Sequence, residues 1–300
     1  MLSLVPDQTL TPPAPTMASP QWWGADSIRS RARDVTSGDS VFVKIYTPTA
    51  AGYIAVGSSV RATRSAGEAG LGPALLDAQQ AEGRLVLADL TDTHKTGTLA
   101  DFLDTGALER LVAVRRAVWD LPTGEVRRAS VFDDVRSLDA RLRAVQATLP
   151  SDYAWMRRLV TAAERRIALH TDAVLIHGDA NCSNTAVAHG NGEILLLDFD
   201  WAAVTDPVQD VGSVLLEHAF GRLDARQVFE LAWGSFDEAL YARARCYAAA
   251  EALRGGLIGA WVDSQDPGTL EYSKFSDWMF LRARVLLGDP AFDDHLRRLS

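Results

Sequence analysis

The spacing of apolar residues changes near position 90. Before it, apolar side chains come in short, dense runs set off by turn residues. The clearest is Val41-Phe42-Val43-Lys44-Ile45-Tyr46, entered through Ser37-Gly38-Asp39, which predicts a strand over 40–46. Ser27 to Asp34 alternates more loosely, and Arg84-Leu85-Val86-Leu87-Ala88 reads as a further strand. Between them Ser58 to Ala69 has helical spacing and stops at the breaker Gly70-Leu71-Gly72-Pro73.

Beyond Leu90 the period lengthens. Thr91 to Thr98 reads as a polar linker. Leu99 to Leu121, Arg136 to Leu149 and Asp152 to His170 are predicted helices, the last two carrying Leu138, Leu142 and Val145, then Trp155, Leu159 and Ile167. A short β region interrupts them: Ala173 to Ile176, Thr185 to Ala188, and Ile194 to Leu197, with Gly190-Asn191-Gly192 as a hairpin turn. From Val211 the chain is helical again, with breaks near Gly221, Gly234 and Asp266-Pro267-Gly268. Pro6, Pro12, Pro13, Pro15 and Pro20 make residues 1–20 a mobile arm in this reading. The pattern predicts an α+β chain of two lobes: a small β-rich lobe over 21–90 and a larger helical lobe over 91–300, with a ligand cleft between them.

Composition narrows the partners. The 300 residues are 47% hydrophobic, enough for two lobes with cores of their own. A formal net charge of −9 disfavours nucleic acid and is compatible with a cationic small molecule. No apolar run approaches the roughly 20 residues of a spanning helix, so no membrane is expected. Cys182 and Cys246 are far apart, and Met1 to Ser19 has no Lys or Arg to form a signal peptide. Together these read as a reduced, cytoplasmic protein.

The chemistry concentrates in His177-Gly178-Asp179-Ala180-Asn181-Cys182-Ser183-Asn184, followed one hairpin later by Asp198-Phe199-Asp200. The strand before His177 delivers His177 and Asp179 to a loop, Asn184 opens the returning strand, and Asp198 ends the next. Two carboxylates and an amide therefore meet at one sheet edge. Phosphoryl transfer needs such a set: one carboxylate to orient and deprotonate an attacking hydroxyl, and hard oxygens to hold Mg²⁺ against a nucleotide's phosphates. Lys44, in an apolar strand of the first lobe, is placed to reach those phosphates, although a lone lysine there is by default an edge-strand residue.

With these residues in place, the chain resembles the aminoglycoside phosphotransferase and choline kinase superfamily of small-molecule kinases. The likeness rests on His177-Gly178-Asp179 to Asn184, on Leu197 to Ala202, and on Asp206-Pro207 with Asp210-Val211-Gly212. Val43-Lys44-Ile45, Gly70 to Leu76 and Leu87 to Leu90 fit the first lobe in order. The resemblance implies a two-lobed, protein-kinase-like fold, with ATP and Mg²⁺ as cofactors and a small-molecule hydroxyl as acceptor. Asp179 would be the catalytic base, Asn184 and Asp198 the metal ligands, and Lys44 the contact to the α- and β-phosphates. Backbone groups from Ala88 to Leu90 would meet the adenine, and His177 and Asp210 would brace the catalytic loop. The family's helix glutamate, which pairs with the lysine, should fall near Ser59; Glu68 is the only glutamate on that helix. No G-x-G-x-x-G loop is present, and Trp23 to Ser27 stands where a phosphate-covering loop belongs.

The acceptor side leaves alternatives open. Asp200 is either a second metal ligand or a solvated turn residue. Glu217 either approaches the substrate or sits on a helix surface. Trp201, Trp261, Tyr272 and Trp278 either wall a cationic amine or fill a core. A choline-like, ethanolamine-like or aminoglycoside acceptor is expected, with a sugar or other small alcohol, a nucleotide-binding pseudokinase and a metal hydrolase as the competing readings.

Overall fold

The structure is a computed structural model that describes residues 4–6, 26–167, 172–219, 222–267 and 271–299. Its first lobe is an antiparallel sheet of five strands: β1 (Leu4–Pro6), β2 (Ser27–Asp34), β3 (Ser40–Tyr46), β4 (Leu75–Gln79) and β5 (Arg84–Ala88). Their order is β1-β2-β3-β5-β4. Helix α1 (Val56–Glu68) packs on one face. The period-2 pattern of β3 sorts its side chains as the alternation demands. Val41 and Val43 join Ala32 and Val86 under one face, while Tyr46 joins Val60 of α1 under the other. Lys44 shares the Tyr46 face and is buried.

Two expectations need correction here. Leu4 to Pro6, assigned to a mobile arm, pairs with Arg33 and its neighbours as an edge strand. Pro6 is tolerated there because an edge strand can lack one ladder donor; the rest of residues 1–20, and Trp23 to Ala25 of the expected phosphate loop, lie outside the described residues. Thr91 to Thr98 is not wholly linker. It contains β6 (His94–Thr96), which pairs with β8 (Thr185–Ala188), itself paired with β9 (Ile194–Leu196).

The second lobe is built on α2 (Thr105–Trp119), α3 (Val131–Ala144), α4 (Tyr153–Ile167), α5 (Pro207–His218), α6 (Ala225–Trp233), α7 (Glu238–Gln265), α8 (Tyr272–Leu287) and α9 (Phe292–Arg298). Caps explain several starts. Asp104, Asp206 and Asp237 each accept a backbone N–H of the following first turn, and Ser130 with Asp133 forms a capping box. That box begins α3 five residues before Arg136, where the periodicity alone had begun it. The long α7 is buried along most of its length and packs against α3, α5 and α8. A short antiparallel pair, β7 (Val174–Ile176) with β10 (Ala203–Thr205), brings the chain segments on either side of the β8–β9 hairpin together.

His218, the last residue of α5, is buried with its ring edge-on to Phe102 at 5.4 Å. Burial, reinforced by the Arg115 charge, pushes its imidazole down to about 4 from an ordinary 6.5. The unfolded chain therefore binds more protons between those values, and this contribution to stability is lost as pH falls through the window. His218→Gln should lose roughly 2 kcal/mol less than the wild type between pH 7 and pH 4.5, a scale set by the pKa difference. Urea melts of both proteins at the two pH values measure this, and equal losses would exclude His218 as the titrating group.

Candidate active site

β7 ends at Ile176, and the chain turns sharply to present His177, Gly178 and Asp179. Gly178 has φ of +78°, and a Cβ there would lie 2.4 Å from the Trp201 carbonyl oxygen, so glycine alone fits the turn. His177 is fully buried; its Nε2 bonds the Leu197 carbonyl at 2.8 Å, and its Nδ1 accepts the Asp179 N–H at 3.3 Å. Burial, then the Arg115 charge, depresses its pKa, which keeps the ring neutral and able to accept at Nδ1. His177 thus braces the loop from beneath.

Asp179 is held at both oxygens. Oδ1 accepts the Asn181 N–H at 2.8 Å and Oδ2 accepts the Asn184 side-chain amide at 2.9 Å. The Asn184 nitrogen is thereby committed to Asp179, leaving its carbonyl oxygen as the end that can serve a cation. From below, Arg115 of α2 donates to the Asp179 carbonyl oxygen and to Asp210 Oδ1, each at 2.5 Å. Asp210 Oδ1 also accepts the Gly178 N–H at 3.1 Å. Arg115 and Asp210 are both buried, so the loop rests on a desolvated ion pair.

β9 delivers Asp198 in a left-handed conformation, φ 62° and ψ 70°. A non-glycine residue in that region is rare and costs energy that a functional site can hold in place. Leu71 and Gly72 fix the approach: Leu71 O accepts the Leu196 N–H at 2.8 Å, and a Cβ on Gly72 would meet Leu196 O at 2.9 Å. Asp198 Oδ1 then lies 2.8 Å from the Lys44 ammonium, and Asp200 Oδ2 lies 2.7 Å from it. Burial opposes ionisation of Asp198, but the Lys44 charge outweighs it and holds the carboxyl at about 2. The same two carboxylates outweigh desolvation at Lys44 and raise its pKa. Oxygens of Asp26, Asp198 and Asp200 converge within 4.8 Å of one another, a hard-oxygen set of the kind Mg²⁺ prefers.

One cleft joins Asp179, Asn184 and Asp198 with Asp200, Trp201 and Glu217. Asp200 is buried, not a solvated turn residue, and Glu217 is buried, not on a helix surface. Ala88 and Leu90 do not line this cleft; the Ala88 N–H donates to Ala74 O at 2.9 Å, and Leu90 O accepts from Thr93 and His94. Those two backbone groups are committed to the protein itself. The proposed aromatic wall does not form as one surface. Trp201 lines the cleft, but its face carries the Arg254 guanidinium at 4.0 Å. Trp261 donates to Thr49 O at 3.4 Å, and Trp278 lines an adjoining, mainly apolar cavity of about 450 Å³ that shares Glu217 and Arg282 with the cleft. Tyr272 is buried outside both linings.

Sequence reasoning missed Arg115, Arg254 and Glu251. Arg254 pairs with Asp134 and Glu251 and donates to Gly178 O at 3.1 Å, so it supports the loop one carbonyl before the Asp179 carbonyl that Arg115 holds. Arg115 interrupts an otherwise apolar helix face, and Arg254 follows Glu251 at i,i+3 spacing; these are the signals the sequence offers for them.

The whole fold has known counterparts. A choline/ethanolamine kinase family protein from Mesorhizobium loti superposes with a TM-score of 0.75 at 22% identity, covering 92% of this chain and 90% of that one. A choline kinase from Streptococcus pneumoniae gives 0.71 at 15% identity, covering 89% and 92%. A spectinomycin phosphotransferase gives 0.58 at 13% identity, covering 92% and 89%. These likenesses establish the two-lobed, protein-kinase-like fold. No curated protein matches the chain by sequence. The model of the phosphotransferase enzyme family matches residues 63–253, from α1 through the catalytic hairpin into α7, and the chain belongs to that family.

Proposed function

We propose that this chain is an ATP- and Mg²⁺-dependent kinase that phosphorylates a hydroxyl group of a small, amine-bearing molecule. The observation that carries the reading is the convergence of Asp179, Asn184 and Asp198 on one cleft, with Lys44 2.8 Å from Asp198 and the Asp179 carboxylate oriented by two hydrogen bonds. In that position Asp179 accepts the proton of the acceptor hydroxyl as it attacks the terminal phosphoryl group. Asn184 and Asp198 supply oxygens for Mg²⁺, which neutralises phosphate charge when bound. Lys44 adds a fixed positive charge to the phosphate path. Arg115, Arg254 and His177 hold the loop so that little reorganisation accompanies the reaction. The Streptococcus pneumoniae choline kinase has been solved with AMP and the spectinomycin phosphotransferase with ADP, which supports a nucleotide donor.

The preference for an amine rests on charge, not on an aromatic cage. The carboxylates of Asp26, Glu217 and Glu251 line the cleft in addition to those assigned to catalysis. Glu217 pairs with Arg282 and accepts the Cys182 N–H at 3.3 Å, and a substrate ammonium would add a second cation to this carboxylate.

A screen of ATP consumption by the purified full chain, across choline-like amino alcohols, aminoglycosides and sugars, tests the reading. Turnover is expected with an amine-bearing alcohol and should cease when EDTA removes the metal. Turnover of neutral sugars alone would overturn the charge argument. ATP binding without turnover of any acceptor would favour the pseudokinase reading, and phosphoester hydrolysis without nucleotide the metal hydrolase.

A further inference from the structure

Helix α1 has no glutamate where a partner for Lys44 is expected; Ser59 stands there, 1% exposed. A buried ammonium without a carboxylate would be costly, so its charge has to be answered from elsewhere. The structure shows where. Lys44 contacts Asp198 at 2.8 Å and Asp200 at 2.7 Å. Asp200 spends its second oxygen on α1 and β3: Oδ1 accepts the Ser59 hydroxyl at 2.9 Å and the Tyr46 hydroxyl. The two hydroxyls are 2.7 Å apart, and the Tyr46 ring lies 4.6 Å below the Lys44 ammonium. α1 packs directly on the turn that carries Asp200. The chain of contacts therefore runs from α1 through Ser59 to Asp200, and from Asp200 to Lys44.

We propose that Asp200, held by Ser59 and Tyr46, is the positioning residue for Lys44 and does the work a helix glutamate would otherwise do. The proposal rests on the kinase reading and deepens it. It divides the two carboxylates of Asp198-Phe199-Asp200 by task. Asp198, in its left-handed conformation at the cleft edge, is left to the metal. Asp200 keeps the ammonium in place when Asp198 turns to that metal. It also leaves α1 coupled to the phosphate-binding lysine, through a hydroxyl in place of a carboxylate.

The test is a double-mutant cycle on the full chain, read by the binding of a fluorescent ATP analogue in EDTA and again in Mg²⁺. Ser59→Ala and Tyr46→Phe each remove one hydroxyl with little change of volume, so they report even if Asp200→Asn fails to fold. Each should weaken analogue binding roughly 5-fold in EDTA, the scale of one buried hydrogen bond. Each should raise the KM for ATP while leaving the KM for the acceptor in place. On a Lys44→Met background the same two substitutions should have no further effect, because the group they position is gone. Equal weakening with and without Lys44 would overturn the proposal. A loss seen only in Mg²⁺ would also overturn it and make Asp200 a metal ligand. Wild-type protein that binds no analogue under either condition would sink the kinase reading itself, and this proposal with it.

Discussion

Asp179→Asn is expected to lower kcat by about 10³-fold, the scale of a lost general base, while the protein remains folded. The substitution preserves shape, and one side-chain oxygen can still accept the Asn181 N–H. It removes the basic oxygen and puts an amide nitrogen beside the Asn184 amide nitrogen, where 2.9 Å separates donor from acceptor in the wild type. Two donors cannot share that contact. Asn184 is therefore expected to rotate and present its carbonyl oxygen to residue 179, withdrawing it from the metal. The variant should show a raised Mg²⁺ requirement in addition to the kcat loss. Steady-state kinetics with a magnesium titration reads both effects, and wild-type turnover by purified Asp179→Asn would exclude the residue as base.

Asp210→Ala should destabilise the protein by about 3–5 kcal/mol, the cost of leaving one partner of a buried ion pair without the other. Arg115 and Asp210 have side chains 3% and 1% exposed, so water cannot replace the missing carboxylate. The Gly178 N–H loses its acceptor as well. Removing the arginine too should recover stability: Asp210→Ala with Arg115→Leu is expected to melt above Asp210→Ala alone, yet turn over slowly, because nothing then holds the Asp179 carbonyl. Denaturant melts of the two variants decide this. If the double variant is less stable than the single one by the full cost of Arg115→Leu, the pair is not acting as an ion pair.

The meeting of Asp179, Asn184 and Asp198 was legible in the sequence because it is local. His177 to Asn184 spans eight positions, and Asp198 follows one hairpin later, so the spacing alone implies their meeting. β2, β3 and β5 of the first lobe were legible because each is a short run set off by polar or turn residues, whereas β1 and β4 were not. What escaped was either short or non-local. β10 has three residues, too few to show a period, and β6 is His-Lys-Thr at a sheet edge, with no apolar face at all. The aromatic wall failed because a tryptophan on a helix carries no mark of which cavity it faces; Trp201, Trp261 and Trp278 take three different environments. Arg115 sits in the stripe of Leu108, Leu111, Val112 and Val118, and Arg254 lies beside Leu253 in a helix buried nearly all round. A charge at such a position is a signal, but the Asp210 partner of Arg115 is 95 residues away, and Arg254, beside its local partner Glu251, also reaches Asp134 across 120 residues.

The strand hidden in the segment after Leu90 bears on the mechanics of the molecule. Thr93 O accepts the His189 N–H, β6 is laced to β8, and the Gly97 N–H donates to Thr185 O, so this stretch moves with the catalytic hairpin. Leu90 O, bonded to Thr93 and His94, goes with it. On the other side, Asp89 is clamped to the first sheet by Arg31 at 2.6 Å and by the Ser40 hydroxyl. What looked like an eight-residue tether is fastened at both ends, and Thr91 spans the junction, its N–H and hydroxyl donating to Asp89 Oδ1 at 3.0 and 2.6 Å. Little slack is therefore left in the chain between the sheet that carries Lys44 and the hairpin that leads to Asp198.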